Sequence, residues 1–490
     1  MLNAHEIAQG IASREFSARE VVAACIQRIE ESQTAIHAVV VPRFEQALKE
    51  ADLADEARSR GDPLGPLHGV PITIKESFDL AGTPTTAGLT HRAGHLAGSD
   101  AAVVERLRQA GAIVLGKTNV SQLLLHDACS NPLYGQTNNP ARLDRSPGVS
   151  SGGEAAVLAL GGSALGLGSD IGGSVRLPAH ACGVSALKPT SGRLSGEGHI
   201  SLFPTQESLM AQPGPLARCV ADLSLAMRVL TGEGDATSLR GLRIGFYTDN
   251  GVVRPSPAIR RAVTEAARAL DGKGFVVQEW QPPNVELMWW VYLAILLTGD
   301  WTKVRQVSRG SKLSWTVRQS LLAGMLPKIS FRIASSILRV AGQSRMAEGV
   351  RYWSEQYDQV IKRREHVCRD FMNAMDAARL DAIVCPVFHT PALRHRVSSF
   401  LDGGLSYTAI YNLLGLPAGV VAATRVGEAE ESDRRPGLSL TERAARNVEA
   451  GSAGLPVGVQ VVARHGREDI VLGLMSLLED RGQAPRTPNF

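Results

Sequence analysis

No apolar run in this 490-residue chain is long enough to span a bilayer. The longest, centred on Trp289 to Leu297, falls well short of the roughly 18–20 residues that a crossing helix needs. The six cysteines (Cys25, Cys129, Cys182, Cys219, Cys368 and Cys385) form no CxxC pair and no Cys/His ligand spacing. That excludes a zinc module and a disulfide framework, leaves reduced core or loop thiols, and gives no metal site. Neither end carries a block of like charge, and a net charge of +4 is too small and too dispersed for a nucleic-acid binder. A phosphate-binding GxxxxGK string is missing, as is a strand-GxGxxG-helix context, so the glycine pairs Gly152-Gly153 and Gly161-Gly162 are not read as a nucleotide cradle. The first residues, Met1 to Glu6, lack a basic segment followed by an apolar one, and a cytoplasmic location is expected.

What is present is a large apolar fraction, 44%, enough for a substantial core. Residues 3–60 follow a helical period, with Ser17-Ala18-Arg19-Glu20 as a capping box opening the face Val21, Val22, Cys25, Ile26 and Ile29. From about 66 to 235, short apolar strands alternate with small-residue helices, such as Ala101 to Gln109 before Gly111 to Gly116, and this predicts an α/β sheet core. Further strands are expected at Leu242–Tyr247, Phe275–Val277 and Pro456–Val462, a helix at Pro257–Leu270, and a mobile polar loop at roughly 425–450. With neither internal repeats nor a linker, residues 1–490 read as one large domain.

Two glycine-flanked serines stand out, in Val149-Ser150-Ser151-Gly152-Gly153 and in Asp170-Ile171-Gly172-Gly173-Ser174-Val175-Arg176. Upstream, Lys75 ends the apolar strand Val70 to Ile74. A serine hydroxyl needs a base before it becomes a nucleophile, and a lysine desolvated among apolar neighbours loses enough basicity to serve. The glycines before Ser174 let the backbone turn tightly and present the N–H groups of Ile171, Gly172, Gly173 and Ser174 to one point, as an oxyanion hole requires.

The string from Ser150 to Glu154 and on to Arg176 resembles the amidase signature, and within that family the chain looks most similar to fatty acid amide hydrolase-like members. The blocks Cys129 to Thr137, Ser406 to Asn412, Leu416 to Val421 and Gly454 to Gln460 resemble theirs, so the likeness runs from about residue 10 to 480. The resemblance implies a single α/β domain with a mixed, twisted sheet of about 10–11 strands covered by helices on both faces. It assigns Lys75 as general base, Ser150 as bridging serine and Ser174 as nucleophile. Ser151 competes for the bridging role, and the 24-residue offset to Ser174 favours Ser150. The family's cis peptide before the bridging serine would fall at Val149–Ser150, although Val149 stands where the family usually has glycine. By matching position, Leu124 and Leu125 would line the substrate site, with plain helix core as the alternative. No cofactor is required, and related enzymes are often homodimers.

From Trp301 to Val340 the chain carries eight basic residues and no acidic one, interleaved with Trp315, Leu321, Leu322, Met325, Leu326, Ile329, Phe331, Ile333, Ile337 and Leu338. A basic amphipathic helix is expected, broken at Pro327 into a helix-turn-helix flap. It serves as a peripheral membrane contact, or as a lid or dimer surface. The expected activity is cleavage of apolar acyl amides through a Ser-Ser-Lys relay and an acyl-enzyme, on a small-molecule substrate and without nucleic acid. Aryl acylamide, carbamate or ester hydrolysis is an alternative on the same site. A subunit resembling the A subunit of the tRNA-dependent amidotransferase is a further one, weakened by Ile171 where those subunits more often carry threonine.

Overall fold

The N-terminal helical period becomes three helices, Ala4–Ala12, Ala18–Ile36 and Phe44–Arg60, in a computed structural model of the chain. The capping box forms as expected: the Glu20 N–H donates to Ser17 Oγ at 3.1 Å, and the Ser17 N–H donates to the Glu20 carboxylate at 2.8 Å. The structure describes residues 1–125, 129–202, 209–234, 238–340, 344–395, 397, 403–435 and 440–479. Parts of the expected 66–235 region, residues 126–128, 203–208 and 235, lie outside the described residues.

Eleven strands form one mixed sheet and two more a small hairpin. In chain order they are β1 (Val39–Pro42), β2 (Pro71–Lys75), β3 (Ile113–Thr118), the hairpin β4 (Ser130–Asn131) and β5 (Gly135–Gln136), β6 (Leu165–Asp170), β7 (Ser185–Lys188), β8 (Gln212–Ala217), β9 (Arg243–Phe246), β10 (Val276–Glu279), β11 (Ala382–Pro386), β12 (Ala418–Arg425) and β13 (Pro456–Ala463). The spatial order of the large sheet is β1-β3-β2-β6-β8-β7-β12-β13-β11-β9-β10. Strand β2 runs parallel to β3 and β6, and β9 runs parallel to β10 and β11, while the other neighbours are antiparallel. Strand β1 is an addition that the helical reading of residues 3–60 missed, since Val39-Val40-Val41 is too short to show a period.

Side-chain alternation along the strands divides the core into two layers. Val457, Val459 and Val461 of β13, with Ala382 and Val384 of β11, pack with Ile259, Val263, Val471 and Met475 from helices Pro257–Asp271 and Glu468–Glu479. The intervening Val462, Ile383 and Cys385 join Tyr292, Phe371 and Tyr411 from helices Val285–Leu297, Tyr357–Ala377 and Ser406–Leu413. Both faces are therefore covered, which is why β2, β6, β11 and β13 are buried at every residue.

The stretch 425–450 is not the polar loop expected from composition. It holds the end of β12, a 3-10 turn and helix Leu440–Glu449, with residues 436–439 outside the described set. Buried Arg434 anchors it, donating to Glu449 and Glu442 at 2.8 Å. Buried Arg145 ties down the chain just past this helix, donating to the carbonyls of Ala450 and Gly451 at 3.0 and 3.1 Å. Charged residues that pair with each other look like solvent-exposed loop in a sequence.

Residues 301–340 are mostly helical, in three pieces, with a break at Pro327. Helices Trp301–Val307, Trp315–Gly324 and Lys328–Val340 follow one another, and the last two bend by 100° around Pro327. One side is anchored: Trp301, Val304, Val317 and Leu321 pack on Leu89, Leu123 and Leu202. Gln122 bridges to the flap backbone, donating to Lys312 O and accepting from Ser314 N–H, both at 2.9 Å. The opposite side leaves Trp315, Leu322, Ile329, Ile333, Ile337 and Val340 exposed. Among the described residues no single helix is long and apolar enough to cross a membrane, whereas this bent pair together has the length and composition of one span.

Candidate active site

Strand β2 ends at Lys75, whose side chain is wholly buried. Its ammonium group has three oxygen neighbours: Ser150 Oγ at 2.7 Å, Ser169 Oγ at 2.9 Å and Ser169 O at 3.2 Å. Burial pulls Lys75 from the usual lysine value to about 7, against the opposing pull of Asp170, Cys129 and Glu154. Near neutral pH the amine form of Lys75 is therefore accessible, and Nζ sits where it can accept the Ser150 O–H.

Ser150 follows a cis Val149–Ser150 peptide, at the position the resemblance implied. Of the two adjacent serines it is Ser150 that touches Lys75. Ser151 turns away, its Oγ donating to Ser169 O at 3.3 Å and its N–H to Ser174 O at 3.1 Å, and helix Gly152–Leu160 begins just beyond. Glu154 on that helix fastens the two strands beneath, accepting from Thr73 of β2 and Thr118 of β3 at 2.7 Å each.

Strand β6 delivers the glycine turn. Its last residue, Asp170, accepts from the N–H groups of Gly173 (2.7 Å) and Val175 (3.1 Å), and from Arg176 through Nε (3.0 Å) and Nη2 (2.9 Å). Arg176 then donates its remaining hydrogens to Thr408 O, Gln460 Oε1 and Asn412 Oδ1, so all five of its N–H bonds are used. Both partners of this ion pair are completely buried. Gly173 sits at φ 128°, in the region open to glycine, and a Cβ there would lie 2.5 Å from Thr408 Oγ1. The Gly173 N–H is thus committed to Asp170, which takes it from the four donors expected for an oxyanion and leaves Ile171, Gly172 and Ser174. Ser174 Oγ has no hydrogen-bond partner among the described residues.

Ser150, Ser174, Ile171 and Gly172 open on one cavity of about 470 Å³. Leu124 and Leu125 are among its lining residues, with Leu177, Leu296, Phe388 and Leu405 completing an apolar wall. Leu123 and Leu124 both adopt φ 56°, a left-handed conformation that costs leucine roughly 1–2 kcal/mol per residue. Buried Leu123, held by Ala87 O at 2.8 Å and packed on the flap, keeps Leu124 facing the cavity.

Of the side chains here that carried no sequence signal, two bear on the chemistry. His199 is half-buried against Phe78, its ring centroid 4.6 Å away, and its Nε2 lies 2.9 Å from Ser169 Oγ and 3.0 Å from Ser77 Oγ. Burial, then the nearby Lys75, lowers its pKa to about 3, so it is a neutral imidazole. Ser169 can then accept from Lys75 and donate to His199. Tyr292 is the second and lines the cavity above Gly172. Asp170 and Arg176, by contrast, stood inside the motif, though composition alone did not show their pairing.

A family model described as Amidase matches residues 20–472. Fatty acid amide hydrolase 1 of Caenorhabditis elegans is 33% identical over 442 residues, spanning 84% of this chain and 76% of that protein. Indoleacetamide hydrolase of Bradyrhizobium diazoefficiens is 31% identical over 501 residues, spanning 98% and 86%. A solved fatty acid amide hydrolase structure superposes with a TM-score of 0.82 at 26% identity, covering 99% of this chain and 86% of that one.

Substituting Asp170→Asn strands the buried Arg176 charge, and the expected cost is about 3–5 kcal/mol of folding stability. Denaturant unfolding near neutral pH reads this directly. Arg176 and the other donors hold the Asp170 carboxyl below the usual aspartate range despite its burial. Its contribution is therefore present above the unfolded value of about 3.9 and lost as the pH falls below it, so the gap between wild type and variant should close in acid.

Proposed function

The chain belongs to the amidase signature family and is a hydrolase of amide bonds; from that premise we propose that it cleaves amides of apolar carboxylic acids through Ser174, Ser150 and Lys75. The observation that carries this reading is the cavity, which is walled by leucine and phenylalanine and ends on Ser150 and Ser174. Its volume falls within the range of small-molecule sites. An acyl chain lies against the wall formed by Leu124, Leu125, Leu177 and Phe388, with its carbonyl carbon over Ser174 Oγ.

Neutral Lys75 takes the Ser150 proton as Ser150 takes that of Ser174, and Ser174 Oγ adds to the carbonyl carbon. The link from Lys75 to Ser150 is formed at 2.7 Å. The link from Ser150 to Ser174 is open in this conformation, as catalytic contacts often are before substrate binds. The oxyanion lies against the N–H groups of Ile171, Gly172 and Ser174. The relay then returns the proton through Ser150 to the departing nitrogen, because an amide nitrogen expelled as an anion is too basic to leave. Water attacks the acyl-enzyme by the same relay and regenerates Ser174.

Indoleacetamide hydrolase among the relatives supports a second substrate class, aryl-bearing amides, which the same apolar wall accommodates. A panel of a long-chain amide, a short aliphatic amide and an anilide separates the two. The long-chain substrate should have the highest kcat/KM, and a preference for the anilide would move the assignment to the aryl class. Ser174→Ala should abolish turnover of every member and the covalent adduct with an acylating inhibitor, detected by intact mass.

The acylation rate should rise with pH and level off above an apparent pKa near 7, because protonation of Lys75 removes the base. Single-turnover kinetics between pH 5 and 10 checks this. A rate still climbing at pH 10 would leave the base with an ordinary lysine value.

The exposed apolar face of helices Trp315–Gly324 and Lys328–Val340, flanked by basic residues and no acidic ones, suits an anionic membrane surface. Sedimentation with phosphatidylserine vesicles should show binding that weakens as salt rises. Absence of binding would leave that face as a lid or dimer surface.

A further inference from the structure

Helix Val285–Leu297 is nearly all hydrocarbon and aromatic, and Tyr292 supplies its only hydroxyl. A buried tyrosine normally finds a partner for its O–H, since an unpaired polar group in an apolar setting is costly. The other large buried tyrosines conform. Tyr247 and Tyr411 bond each other at 2.8 Å, and Tyr407 donates to Val253 O at 2.8 Å. Tyr292 is 2% exposed as a whole residue, and no hydrogen bond joins its hydroxyl to a described residue, the oxygen opening on the cavity rather than being sealed in.

Its placement says what the hydroxyl is kept for. Tyr292 lines the cavity shared by Ser150 and Ser174. Its Oη sits over the glycine turn: a Cβ built on Gly172 would come within 2.3 Å of it. A side chain at 172 would push the hydroxyl from this place over the turn. The ring is held by Trp289, one turn earlier, stacked at 5.7 Å between centroids and 16° between planes. The same turn has lost one of its donors, because the Gly173 N–H is taken by Asp170 at 2.7 Å.

We propose that Tyr292 donates a hydrogen bond to the substrate carbonyl oxygen as it becomes the oxyanion, completing with a side chain a hole that the backbone of Ile171, Gly172 and Ser174 supplies in part. Burial, reinforced by the Asp170 charge, pushes the hydroxyl well above the usual tyrosine range, so it stays protonated and acts as a donor throughout the working pH range. The inference rests on reading Ser174 as the nucleophile.

The test compares wild type, Tyr292→Phe and Ser174→Ala on one unsubstituted apolar acyl amide. An oxyanion donor acts mainly in the transition state, so Tyr292→Phe should lower kcat and kcat/KM together by about 10²-fold and leave KM nearly unchanged. Affinity for a trifluoromethyl ketone that Ser174 converts to a tetrahedral adduct should fall by a similar factor. The melting temperature should hold, since no protein partner is lost. Equal rates in wild type and Tyr292→Phe, or a change confined to KM, overturn the proposal. Persistent activity in Ser174→Ala would instead overturn the reading of the nucleophile, so the two failures are distinguishable.

Discussion

The buried pair of Asp170 and Arg176 is the constraint on which the site depends. One carboxylate sets the path of the turn from 170 to 176 by taking the N–H groups of Gly173 and Val175. One guanidinium then joins that turn to helix Ser406–Leu413 and to β13 through Thr408, Asn412 and Gln460. Two charges removed from water cost several kcal/mol each, and pairing offsets this only when the geometry is good and the other polar atoms are satisfied. Here every Arg176 N–H is satisfied. Such an arrangement gives little net stability and a rigid shape, which is what a row of oxyanion donors needs.

The pair also bears on Lys75. Asp170 is the largest influence keeping Lys75 charged, and burial is the larger opposing one. The fork of Arg176 on Asp170 meets much of that negative charge close at hand, so burial prevails and the amine form becomes accessible near neutrality. The polar atoms around Lys75 accommodate both states. As an ammonium it donates to Ser150, Ser169 Oγ and Ser169 O; as an amine it gives two hydrogens to Ser169 and accepts from Ser150. The second pattern needs Ser169 to pass its own hydrogen on, and neutral His199 receives it at 2.9 Å.

Much of this was legible in the sequence because the chemistry is concentrated in short segments. Lys75, Ser150, Ser174 and the 171–174 turn lie in strings whose residue types already suggest their use, and Leu124 and Leu125 sit where the family pattern puts a wall. Gly173 shows the limit of that reading: its place in the string marked it as a donor, and only the fold reveals that Asp170 occupies it. His199, Tyr292, Phe388 and Leu405 come from parts of the chain without a motif and meet the site only through packing of the whole sheet. Tyr292 is concealed further, because inside the longest apolar run it reads as core. The 425–450 segment failed for a related reason: Arg434, Glu442 and Glu449 look solvated until they are seen to pair.

The central claim is that the fold makes Lys75 a neutral base at working pH. Direct titration of its Nζ in the intact protein, by NMR of isotope-labelled lysine with Lys75→Met to assign the signal, tests it without reference to any substrate. The account predicts a midpoint near 7, far below the value of a lysine in water. A midpoint near 10.5, the value of a lysine in water, would contradict it.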